Sequence, residues 1–121
     1  MIEIIEGLPD NVVGLLAKGE VTKKDYRDVV IPAIDKSLKR NAKLRLYYEL
    51  GSQFIGIDFG AEWEDLKLGI EHLSRWERMA VVTDIAWIRH LVGGFRFLMP
   101  GEMRVFTTAQ ASEARKWIVA P

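Results

Sequence analysis

The chain of 121 residues has no cysteine. Disulfide staples, thiolate metal sites and a cysteine nucleophile are therefore excluded, and the fold must rest on an apolar core. Histidine is nearly as scarce. His72 and His90 are the only two, and they form neither an HxH nor an HxxxH pattern. A zinc site needs several converging ligands, so no metal and no cofactor is expected. Neither sign of charge is in excess, with 17 Lys and Arg against 17 Asp and Glu. A nucleic-acid binder shows a basic face or run, and its absence argues against that class. No charge-free apolar run approaches about 18 residues, so no transmembrane segment is expected. The opening residues, MIEIIEGLPDN, carry acids where a secretory signal needs positive charge. A cytoplasmic location is the resulting expectation. Glycine-rich nucleotide loops of the GxGxxG and GxxxxGK[ST] kinds are missing, and Gly51-Ser52-Gln53 does not have the form of a nucleophile elbow. No catalytic residue is assigned, and the chain is read as a non-enzyme.

About half the residues are apolar and 28% are charged, the composition of a globular protein. The length suits a single domain over residues 1–121. Residues 2–6 predict a strand, Gly7-Leu8-Pro9-Asp10-Asn11 a turn, and 12–18 an antiparallel partner strand. Thr22 to about Arg40 predicts a helix with Tyr26, Val29, Val30, Ala33, Ile34 and Leu38 on its buried face, kinked at Pro32. In 43–50, Leu44, Leu46, Tyr48 and Leu50 alternate with Lys43, Arg45, Tyr47 and Glu49, so one face is expected in the core and the other partly polar. Gly51 to Gly60 is expected to be an apolar, glycine-punctuated loop.

A second helix is expected over 61–74, with Asp58 near its N-terminus and Trp63, Leu66, Ile70 and Leu73 buried. Residues 78–83 predict a strand covered on both faces. Thr83 or Asp84 caps a helix over 85–98 whose expected core stripe is Ile88, Leu91, Val92, Phe95 and Leu98. Pro100-Gly101 stops it. A strand over 103–107 and a last helix capped by Thr108, with Ala111, Ala114, Trp117 and Ile118 inward, complete the chain. The order β-β-α-β-α-β-α-β-α predicts an α/β fold: a five-stranded mixed sheet with four helices.

This succession resembles the SpoIIAA-like fold shared by STAS domains and CRAL-TRIO lipid-transfer domains, and more narrowly the small bacterial SpoIIAA-like STAS proteins. The residues that carry the resemblance are Leu44–Leu50, the run Gly56 to Asp65, the run His72 to Asp84, the turn and strand Pro100 to Phe106, and Ala114 to Trp117. The resemblance implies a regulatory or binding module acting through protein–protein contacts, with lipid or small hydrophobic-ligand binding as the alternative. Anti-sigma-factor antagonists of this fold carry an Asp-Ser-Ser-Gly-like phosphoacceptor. The matching place here is Asp58-Phe59-Gly60-Ala61, which has no hydroxyl, so phosphorylation is not carried over.

Ligands of open α/β sheets bind outside the carboxyl ends of the strands. That edge is expected to offer Glu49, Gly51, Asp58, Thr83, Asp84 and Thr108. Asp58 and Asp84 could form an acid–base or hard-metal pair, but helix capping accounts for both. The stronger anomaly is the 85–98 helix, which is apolar yet holds Gly93 and Gly94. A ligand pocket there would be lined by Phe54, Ile57, Phe59, Trp87, Leu91 and Phe95. An interaction surface would use Trp87, Arg89, His90, Gly94 and Phe97, with a second copy or another protein as partner. Glu102 and Arg104 are expected to form an ion pair.

Overall fold

A computed structural model describes residues 1–57, 75–95 and 101–121. The predicted helix over 61–74 lies outside the described residues, as do Asp58, Phe59, His72 and Phe97. Five strands form one sheet in the order β1-β2-β3-β4-β5. They are β1 (Ile2–Ile4), β2 (Val12–Val21), β3 (Leu44–Ile57), β4 (Trp76–Val82) and β5 (Glu102–Phe106). β1 runs antiparallel to β2, and every later pair is parallel. The short connection from Ile5 to Asn11 makes the antiparallel pair. Gly7 takes a φ of +85° there, a conformation open to glycine at little cost.

Strands that follow one another in both sequence and space, through crossovers of one hand, place the crossover helices on one face. α1 (Lys23–Asp25), a π-helical stretch (Tyr26–Val30) and α2 (Ile31–Leu38) lead from β2 to β3. α3 (Ala86–Phe95) leads from β4 towards β5. Both sets pack on the first core, around Val13, Leu15, Val30, Ile34, Leu44, Leu50, Val81 and Ile88. The last helix, α4 (Ala111–Val119), follows β5 through a single 3-10 turn (Thr108–Gln110). It covers the opposite face, where Tyr47, Ala80 and Val82 meet Ala114 and Ile118. No helix among the described residues is long and apolar enough to cross a membrane.

Two expectations are corrected here, the loop over 51–57 and the threonine that caps the final turn. Residues 51–57 are strand, not loop: β3 continues to Ile57 and pairs Phe54 with Gly19 and Gly56 with Glu20. The register shifts between Ala17 and Gly19, so glycine marked a bulge within the strand. The face of Lys43, Arg45, Tyr47 and Glu49 is partly polar, and on it Arg45 and Tyr47 are buried beneath α4. The first helix runs on through Pro32 as one element, with a π stretch in which the Ile31 N–H reaches the Tyr26 carbonyl. That wider turn accommodates a proline that has no N–H and would crowd the preceding carbonyls. The capping threonine is Thr107, ahead of the 3-10 turn that leads into α4, rather than Thr108, and its N–H bonds Gln110 Oε1 at 3.0 Å.

Candidate interaction surface

The carboxyl end of the sheet is closed by a small polar lock. Thr83 Oγ1 accepts the Ile85 N–H at 3.1 Å, which turns the chain into α3. The Thr83 N–H donates to the Phe106 carbonyl at 2.9 Å. Asp84 reaches across to the start of the 3-10 turn, taking the Thr108 N–H at 2.9 Å and the Thr108 hydroxyl. The hydroxyl and N–H of Thr108, with Arg89 nearby, hold the Asp84 carboxyl below its ordinary range. This carboxylate is committed to joining two loops. Arg89 Nη1 donates to the Thr83 carbonyl at 3.0 Å. Elsewhere on the expected edge, Glu49 Oε1 accepts the Tyr47 hydroxyl at 2.6 Å and Gly51 lies inside β3.

The lock fixes how α3 presents itself. Ile88 is buried, and Ile85 and Val92 pack on the first core. At about 100° per residue, Trp87, Leu91 and Gly94 fall on the far side. Trp87 and Leu91 are each 48% exposed. Leu91 therefore leaves the core stripe predicted for it, since Ile88 and Val92 occupy the sheet-facing positions and Leu91 is turned away from Val92. A Cβ built on Gly93 or Gly94 meets no described atom within 4 Å. Close packing among the described residues does not call for either glycine.

The flank of α3 nearest β5 is different. Ala86, Arg89, His90 and Gly93, with Val105 of β5, line an open cavity of about 440 Å³. Of the predicted interaction residues, Trp87 and Gly94 share the outer face, exposed His90 lies on this flank, and Arg89 is engaged by Thr83. Of the predicted ligand-binding residues, Phe54 packs against the first core. Ile57 and Phe95 enter only as the ends of β3 and α3. Neither of the two described cavities is lined by Phe54, Trp87 or Leu91.

A second cluster, on the opposite face, was missed by sequence reasoning. Arg45 Nη1 donates to the Ile118 carbonyl at 2.9 Å and to the Ala120 carbonyl, and Arg45 Nη2 meets Glu77 Oε1 at 3.2 Å. Arg78 Nη1 donates to the carbonyls of Trp117 and Ala120 at 3.0 and 2.8 Å. Arg104 lies 4.7 Å from the centre of the Trp117 ring, which Arg78 and Phe106 also approach. Guanidinium groups thus satisfy the open carbonyls at the negative end of α4. Arg45 in a strand and Ile118 in a helix are 73 positions apart, and no local pattern announces such a contact.

The SpoIIAA-like family matches residues 12–119 of this chain. The chain belongs to the SpoIIAA-like family. It is also similar to the crystal structure of an uncharacterised protein of the DUF3478 family with a SpoIIAA-like fold, from Shewanella loihica PV-4. The identity is 22%, the TM-score is 0.74, and the match covers 98% of this chain and 92% of that one. That likeness shows the fold. No curated protein matches the chain. Within the SpoIIAA-like scaffold, the Thr83–Asp84–Thr108 lock and the arginine clamp hold elements together. The outer face of α3 has no such structural use among the described residues.

Proposed function

We propose that this SpoIIAA-like protein is a non-catalytic regulatory or binding module that engages a protein partner through the outer face of α3. The observation that carries this reading is the half-exposed pair Trp87 and Leu91, one helical turn apart on a helix whose core contacts are made by other residues. An exposed tryptophan beside an exposed leucine forms an apolar patch on the surface. Tryptophan is also among the residues that dominate binding energy at interfaces. Gly94 continues the same stripe and leaves the surface shallow enough for a partner to approach closely.

The test is site-specific photocrosslinking in cells. A photoreactive side chain at position 91 should capture a defined protein, and the same group at exposed Glu113 on α4 should not. Identical capture patterns at the two positions would count against the reading. Native mass spectrometry of detergent-free protein addresses the other class of occupant: a co-purified apolar molecule lost in Trp87→Ala would favour the hydrophobic-ligand alternative.

A further inference from the structure

β5 is a sheet edge. Among the described strands it pairs only with β4. The Phe106 carbonyl accepts from Thr83 on the β4 side. Because backbone groups alternate along a strand, those of Arg104 and Glu102 also point inward. The N–H and C=O groups of Met103 and Val105 therefore point out from the edge. Side chains alternate as well. Met103 and Val105 lie on the α3 face, and Glu102, Arg104 and Phe106 lie on the α4 face with Trp117. Glu102 and Arg104 are 3.4 Å apart and more than half exposed.

We infer that β5 pairs antiparallel with β5 of a second copy, joining two sheets across a two-fold axis at Met103. This interface is separate from the outer face of α3 and does not rest on the function proposed for it. A symmetric strand pair sets residues of one parity opposite each other. Centring at Glu102 opposes glutamate to glutamate, and centring at Arg104 opposes arginine to arginine. Centring at Val105 leaves both charges without an ionic partner across the seam. Centring at Met103 sets Glu102 opposite Arg104 of the second copy, twice, and makes Met103 a hydrogen-bonded pair with itself. The neighbouring Glu102–Arg104 pairs are then non-hydrogen-bonded pairs, the kind in which cross-strand side chains sit closest. On the other face, the cavity between Val105 and the Ala86–Gly93 flank of α3 opens beside the seam, leaving room for the partner's Met103. The second copy is thus selected by charge complementarity in one register.

Sedimentation equilibrium of the full chain tests this. The wild type should show a concentration-dependent monomer–dimer equilibrium. Glu102→Arg and Arg104→Glu should each raise the dimer Kd by about ten-fold, since two attractive cross-strand pairs become repulsive. The double swap Glu102→Arg/Arg104→Glu should restore dimerisation, and an equimolar mixture of the two single variants should form heterodimers. Arg104 also stacks on Trp117, so Met103→Pro provides a second route: it removes an outward N–H and spares the β4 ladder. It should be folded by circular dichroism and monomeric. A wild type that stays monomeric at high concentration overturns the inference. So does a dimer indifferent to the single swaps and to Met103→Pro.

Discussion

Arginines finish helices in this protein at a distance that sequence alone does not reveal. Arg75 donates to the Leu38 carbonyl at the end of α2 and to the Asn41 and Ala42 carbonyls beyond it, at 3.1, 2.8 and 3.1 Å. Arg45 and Arg78 do the same for α4. Each serves several carbonyls with one planar fork, which an ammonium does not reproduce. Arg45→Ala should therefore destabilise the fold by about 3 kcal/mol, on the scale of two hydrogen bonds to a charged group. Arg45→Lys should recover less than half of that, as read from urea unfolding. The tyrosines make a pH prediction. Burial pushes the Tyr47 hydroxyl up from 10.0 to about 12, and its bond to Glu49 adds to the effect. Tyr26 and Tyr48 shift upward as well, with burial the main cause in both. A raised phenol pKa means that the folded chain holds its proton while the unfolded chain loses it. This stability is complete below pH 10 and falls as pH rises from 10 towards 12. Thermal melts over that range should show a declining Tm, and Tyr47→Phe should flatten the decline.

Two glycines that look alike in sequence play opposite parts in their elements. A Cβ at Gly101 would collide with the backbone carbonyls of Trp76 and Glu77. Gly101→Ala should cost about 2 kcal/mol or more, because strand backbone has to move. Gly94 lies on the exposed side of α3 with open space around it. Gly94→Ala should stabilise the isolated protein by roughly 0.5–1 kcal/mol through helix propensity alone. A loss of stability in Gly94→Ala would show instead that the glycine is needed for packing. Periodicity revealed α3 itself but not the side it presents. Leu91 fits an apolar stripe as well as Ile88 does, and only the position of the sheet decides between them. The β3 extension was illegible for a similar reason: glycines at 51 and 56 signal a turn or a bulge equally, and the partner strand β2 settles which.

Across the whole molecule, the alternation of strands and helices made the α/β class readable, and the residues at Leu44–Leu50 and Pro100–Phe106 pointed to the SpoIIAA-like family. What stayed hidden is what joins distant segments: the closure of α4 over Arg45 and Tyr47, and the commitment of Asp84 to Thr108. Sequence spacing does not encode separations of that length. Which of the candidate residues share a side of α3 was legible only in part. Helical spacing places Trp87 and Gly94 on one side of α3, but the turn of Arg89 towards Thr83 depends on the lock at the end of β4. Two differently built surfaces carry the proposals, the charged strand edge for a second copy and the apolar helix face for another protein. The most direct test of the second is the affinity of the protein captured through position 91, measured by calorimetry. Trp87→Ala should weaken that binding by about ten-fold or more while leaving the urea midpoint near that of the wild type. An unchanged affinity in a folded Trp87→Ala variant would contradict the account.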